Sequence, residues 1–267
     1  MRIRTLLTAS LLAALPLSGA LAKDAALAKA VADANRTPTL VARDSARHPQ
    51  EVLEFAGIKP DMTVVEISPG GGYWTEILAP YLKDKGTYYT AMTPPGASER
   101  AAKAVADWDK KLADNKARWG AVKRTEFGKG AYEIAPAGSA DLVMTSRNVH
   151  NWMGAGFADE AFAAFYKALK PGGTLSVEEH RGPADKPQDP KAQNGYVRED
   201  HTIELAKKAG FELVSRSEAL ANKKDTKDWP QGVWTLPPTL ALGDKDREKY
   251  LAIGEADNFL LKFRKPK

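Results

Sequence analysis

From Thr63 onward the chain alternates short apolar runs with longer segments whose apolar residues recur at helical spacing, and this alternation narrows the fold more than any other feature. Short runs of continuous apolarity are how strands buried on both faces, covered by helices, read in sequence. The pattern predicts strands over 63–67, 87–92, 122–127, 141–145, 173–178, 212–217 and 259–264, with helices over 73–82, 98–112, 158–169 and 200–209. Pro171-Gly172-Gly173 and Gly210 are expected to stop two of those helices, by removing a donor or supplying a residue that tolerates left-handed backbone. Asp200 is the expected N-cap of the last one. One α/β domain with a doubly wound sheet follows, spanning 58–267. Before it, residues 23–57 read as an N-terminal helical arm with a polar break at 35–39. Within the domain, residues 221–254 break the alternation with Trp229-Pro230-Gln231-Gly232 and Pro237-Pro238, the mark of a long insertion. Its Trp229, Trp234 and Leu236 either form an apolar acceptor or partner surface or pin the insertion to the core.

The chain starts differently. Arg2 and Arg4 precede an apolar stretch from Leu6 to Leu17, and Ala20-Leu21-Ala22 supplies small residues where a signal peptidase reads. Residues 1–22 are therefore expected to be a signal peptide cleaved after Ala22, with a periplasmic or secreted product. The apolar stretch is about a dozen residues, short of the roughly 20 that cross a bilayer, so no membrane span is expected after cleavage. The absence of cysteine excludes disulfides, thiolate chemistry and Cys-ligated metals. The 39 basic and 34 acidic residues are spread along the chain, and the net charge of +5 forms no basic stripe, so nucleic acid is not the expected partner.

The segment Val64-Val65-Glu66-Ile67-Ser68-Pro69-Gly70-Gly71-Gly72-Tyr73-Trp74-Thr75 ends a strand in a carboxylate and opens a helix through a glycine turn. Glycines there let backbone approach a ligand, and a helix start offers free N–H groups. The register is not that of a dinucleotide site, where the glycines come first and the acid about 20 residues later. Read from Gly70, that pattern also fails at Thr75, where its third glycine belongs.

The arrangement resembles motif I of the class I S-adenosylmethionine-dependent methyltransferases. Asp141-Leu142-Val143-Met144, the run Leu169-Lys170-Pro171-Gly172-Gly173-Thr174-Leu175, and Ala209-Gly210-Phe211 are similar to that family's later strands and turns. More narrowly, Arg47-His48-Pro49, the glycine turn, Arg147-Asn148-Val149-His150-Asn151-Trp152, Glu178-Glu179-His180-Arg181 and Leu220-Ala221-Asn222 resemble a group of predicted exported bacterial methyltransferases of unassigned substrate. The resemblance implies a mostly parallel seven-stranded Rossmann-like sheet with an antiparallel last strand. It also implies an S-adenosylmethionine site drawn from Glu66, Ser68, Pro69, Gly70, Gly72, Tyr73 and Arg147, with Glu126 accepting from the adenine amino group and Phe127 packing on the ring. Two departures stand out: Ser68 replaces the first motif glycine, and Ala91-Met92-Thr93 stands where the family often has an acid for the ribose hydroxyls. Losing that carboxylate is expected to weaken cofactor binding by about 1–3 kcal/mol.

In open α/β sheets ligands bind beyond the carboxyl ends of the strands. The residues that follow the fourth and fifth strands are Arg147, Asn148, His150, Asn151 and Trp152, then Glu178, Glu179, His180 and Arg181. His150 or His180 is the expected base for the acceptor's proton, since imidazole titrates near neutrality. Trp152 or Tyr196 is expected to wall the pocket and face the sulfonium. Glu178 and Glu179 point to opposite faces, so one of them is structural. Imidazole and carboxylate would also suit zinc, copper or iron, but His150, His180, His201 and Glu179 show no local ligand spacing and no metal is expected. The function these readings favour is S-adenosylmethionine-dependent methyl transfer to a small-molecule acceptor. The competing class is an exported binding protein that keeps the fold for a nucleoside or other small ligand without catalysis.

Overall fold

The computed structural model describes residues 24–267; the expected signal segment, 1–22, lies outside the described residues. Four short helices come first: α1 (Ala25–Val31), α2 (Pro38–Val41), α3 (Asp44–Arg47) and α4 (Pro49–Ala56). Then follow β1 (Thr63–Ile67), α5 (Thr75–Leu82), β2 (Thr87–Met92), α6 (Glu99–Asp114), α7 (Lys116–Trp119), β3 (Lys123–Glu126) and β4 (Ala140–Ser146). The second half contains α8 (Val149–Ala155), α9 (Ala158–Ala168), β5 (Leu169–His180), α10 (Glu199–Lys208), β6 (Glu212–Ser217), α11 (Arg247–Ile253) and β7 (Asn258–Arg264).

The seven strands form one sheet in the order β3-β2-β1-β4-β5-β7-β6. The first five pair in parallel, and β7 lies antiparallel between β5 and β6. Alternation along each strand sorts the core into two layers. Val64, Tyr88, Leu142 and Met144 face α1, α4, α5 and α7. Val65, Ile67, Val143 and Val177 face α8, α9 and α10. Strand order runs outward from β1 in one direction and from β4 in the other, which leaves a crevice above the carboxyl ends of β1 and β4.

Three expectations change. The helix stop at Pro171 falls inside β5: α9 ends at Ala168, Leu169 already pairs with Ala140, and the Gly172 N–H reaches Lys265 O at 2.8 Å. Arg198, not Asp200, caps α10, and Asp200 sits in its first turn bound to Arg198. Finally, the residues after β4, to which the sequence assigned no helix, form α8. Val149, Trp152 and Met153 recur at three- and four-residue steps and bury together, which is what winds this segment into a helix.

The late segment carries its own apolar cluster, in which Val233, Leu236 and Tyr250 pack on Tyr196. Asp225, 4% exposed, anchors it: the carboxylate accepts from Tyr196 OH, Trp229 Nε1 and the backbone N–H groups of Lys227 and Asp257. Among the described residues no helix is long and apolar enough to cross a membrane.

Candidate functional site

The glycine turn lies at the mouth of the crevice. Ser68 continues from β1 with φ +55°, a left-handed backbone that glycine adopts freely and serine at a cost of about 1–2 kcal/mol, and its N–H is held by Ala91 O at 2.8 Å. Gly70 has φ +55° too, and a Cβ there would meet nothing within 4 Å, so its outer side is open space. Gly72 is crowded instead, with Lys111 Nζ and the Trp108 ring 3.1–3.3 Å from where its Cβ would be. Beneath the turn, Glu66 is buried and accepts hydrogen bonds from Thr75 Oγ1 (2.6 Å) and Tyr88 OH. Burial lifts its pKa to about 7 against the pull of those two hydroxyls and of Lys111.

A cavity of about 270 Å³ opens over Ser68, Pro69, Gly70 and Gly71, closed on its far side by Arg43 and Arg47 from the arm and by Arg147 after β4. Local packing sets these arginines. Arg36 grips Asp44 through two hydrogen bonds, Tyr73 OH donates to the same carboxylate, and the Arg47 guanidinium stacks 4.4 Å over the Tyr73 ring. Thr37 donates its N–H and hydroxyl to Glu76 on α5, which fixes the arm to the domain. Glu255 then receives Arg43 through two bonds of 2.7 Å and Arg147 through one of 2.8 Å, with Arg47 at 3.9 Å. Glu178, 3.7 Å from Arg147, has its pKa raised by burial. Three guanidinium groups thus meet one well-paired carboxylate, and Arg47 Nε is buried with no hydrogen-bond partner. Such a wall is suited to an anion.

A second cavity, of about 400 Å³, shares Ser68, Pro69 and Gly70 and extends to Met92, Thr93 and Ser98 beyond β2. No carboxylate lines it, in keeping with Ala91-Met92-Thr93. Glu126 is exposed at the end of β3 and lines no cavity described here. Phe127 is 2% exposed and packs edge-on against Trp152 and Phe157 in the core, so no face of it is free for a ring.

The third cavity, about 280 Å³, shares Arg43 and Arg147 with the first and Asn151 with the second. His150 and His180 line it, and Trp234, Pro237 and Pro238 of the insertion roof it. Their rings lie 5.6 Å apart. Glu179 lies behind both: its carboxylate accepts from His150 Nδ1 at 3.0 Å, from the His150 N–H at 3.1 Å and from the His180 N–H at 2.8 Å. Burial raises the Glu179 pKa, but the two histidines and these bonds outweigh it and hold the group below the usual range. His180 Nδ1 lies 2.8 Å from Asn258 Oδ1, and burial drives its pKa down to about 3. Burial thus weakens His180 as a proton acceptor.

Trp152 does not wall a pocket; it is 3% exposed among Phe127, Phe162 and Phe165. Nor does Tyr196, whose hydroxyl is committed to Asp225 and whose pKa is raised far above its ordinary value by burial and that carboxylate. His201 stands apart on α10 beside Glu204. Arg43, Arg47 and Glu255 were not legible as site residues, because they meet across up to 212 positions of sequence.

No protein-family profile and no curated protein matches the chain. Solved structures do. An S-adenosylmethionine-dependent methyltransferase from Aquifex aeolicus superposes over 84% of this chain and 93% of its own, with a TM-score of 0.55 at 16% identity. The fold is that of the class I methyltransferases. The [4+2]-cyclase SpnF covers 83% of this chain and 80% of its own (TM-score 0.55, 18% identity). A 1,6-didemethyltoxoflavin N1-methyltransferase from Burkholderia thailandensis, solved with 1,6-didemethyltoxoflavin and S-adenosylhomocysteine, covers 84% and 78% (TM-score 0.51, 13% identity).

Proposed function

We propose that this protein transfers a methyl group from S-adenosylmethionine to a small-molecule acceptor, in the periplasm or outside the cell. The observation that carries the reading is a pair of cavities that share the glycine turn, with a third cavity adjoining each of them. Ser68, Pro69 and Gly70 line both an arginine-walled cavity and one beyond β2, while Arg147 borders the first, and Asn151 the second, where each adjoins the cavity of His150 and His180. The residues fit the cofactor: the partnerless Arg47 Nε and the surplus guanidinium charge suit the carboxylate of its amino acid half, and the open side of Gly70 admits backbone contact. When bound, the cofactor supplies an electrophilic methyl. The protein's part is to hold the acceptor in line, exclude water beneath Trp234, and accept a proton at His150, whose Nδ1 is turned toward Glu179.

The bare, carboxylate-free cavity beyond β2 favours a second reading, an exported binding protein for a nucleoside or other small ligand. Calorimetric titration of the folded protein with S-adenosylmethionine and S-adenosylhomocysteine, with NADH as control, tests the cofactor. Saturable micromolar binding of the first two, lost in Gly70→Arg and weakened at least tenfold in Arg47→Ala, is the expected result. Absence of binding at millimolar ligand overturns the methyltransferase reading. Once an acceptor is found, His150→Ala separates the two classes: an enzyme loses turnover and keeps cofactor affinity, whereas a binding protein has no turnover to lose.

A further inference from the structure

We infer that His150, Glu179 and His180 form a binding site for a divalent first-row transition ion at the floor of the acceptor cavity. One ring nitrogen from each histidine and one Glu179 oxygen lie within 4.8 Å of one another. Ligands around a zinc-like ion at about 2.1 Å stand about 3.4 Å apart, so the side chains need to shift by no more than an ångström or so to close on it. Two imidazoles and a carboxylate are a donor set that zinc, iron and other borderline ions take, and the absence of cysteine leaves no softer competitor in the chain.

The surroundings hold these groups in place. Asn258 Nδ2 donates to Ala256 O at 2.9 Å, which turns Asn258 Oδ1 toward His180 Nδ1 and makes that nitrogen the protonated one. The Nε2 lone pair of His180 is then left for a ligand. Glu179 is itself oriented by the backbone N–H groups of His150 and His180. Partners that fix ring tautomer and direction in this way are a regular feature of histidine metal sites. The neighbouring Arg147 is turned to Glu255, which accepts from its Nη1 at 2.8 Å.

Among the described residues no fourth ligand joins the cluster, and Glu255 in the same cavity is taken by Arg43 and Arg147, so an ion there keeps positions for water or for an acceptor oxygen or nitrogen. Coordination lowers the pKa of such a group, and its proton leaves to solvent. In the metal-bound protein, then, His150 acts as a ligand and the ion ionises the acceptor. This goes beyond the methyl-transfer reading and is tested without cofactor, so either can fail while the other stands.

The experiment uses chelator-treated protein titrated with Zn²⁺ by calorimetry and with Co²⁺ by visible absorption. One ion per chain is expected, with Co²⁺ bands of nitrogen and oxygen coordination. The chain has four histidines, so the His48→Asn/His201→Gln double variant leaves just the proposed pair. It should bind as the wild type does, and Zn²⁺ should shift the imidazole resonances of both remaining histidines. His180→Gln and Glu179→Gln should weaken binding at least tenfold. Absence of stoichiometric binding by the folded wild type, loss of binding in the double variant, or unshifted imidazole resonances there would each overturn the assignment.

Discussion

Replacing Glu66 by glutamine is expected to remove a pH dependence of stability that the wild-type core carries. The carboxyl is fully enclosed beneath the glycine turn, and burial lifts its pKa from 4.5 to about 7. In the unfolded chain it ionises near its ordinary value. Between those two values the folded protein holds a proton that the unfolded chain has released, so stability falls as pH rises and levels off above about pH 7. At 1.36 kcal/mol per pKa unit, integration gives a loss of about 2.5 kcal/mol between pH 5 and 8. Glutamine keeps an oxygen to accept from Thr75 and Tyr88 and has nothing to ionise, so the variant lacks this slope. The assay is urea unfolding of both proteins at half-unit steps from pH 5 to 8. Other titrating groups cancel in the difference between the two curves. The variant should gain on the wild type by about 2.5 kcal/mol across that range, and curves that run parallel would refute the argument.

Trp152→Ala should cost about 3–5 kcal/mol of unfolding free energy, because the ring sits among Phe127, Phe162 and Phe165 rather than on a cavity wall. Cofactor affinity measured below the variant's melting temperature should stay within a few-fold of wild type; a large loss of affinity with unchanged stability would return Trp152 to the site. Asp225→Ala strips the partner from Tyr196, Trp229 and two backbone N–H groups at once, and should lower the melting temperature by several degrees. Limited proteolysis should then cut first within residues 221–254, and a wild-type digestion pattern would count against the anchoring role.

The sheet was legible because its central strands are buried on both faces and helices separate most of the seven, so periodicity locates each of them to within a few residues. Helix α8 was hidden by its position: Val149, Trp152 and Met153 carry a plain helical spacing, yet they directly follow a strand end, where the residues were read as facing the ligand. The same error placed Trp152 at the ligand instead of in the core. For Glu178 and Glu179 the two-residue period of a strand said that they face opposite ways, but not which one meets the histidines. Only packing decides that, with Glu178 beside Arg147 and Glu179 beside His150. Arg43 and Glu255 had no local signal at all, since charges that pair over such separations leave no periodic trace, and Arg47 stood out only within Arg47-His48-Pro49, without a role attached.

That last ion cluster also bears on how the protein reaches its working form. Arg43 belongs to the arm, Arg147 to the middle of the sheet and Glu255 to the turn before the final strand, and the bond between the first and last of these spans 212 residues. Until β7 slots between β5 and β6, Arg43 lacks the carboxylate that holds it at the far wall of the first cavity. A partly synthesised or partly folded chain can therefore assemble the glycine turn but not a competent pocket. Ligand binding reports the completion of the whole topology, and a truncation before residue 255 should abolish it even where β1 to β5 are intact.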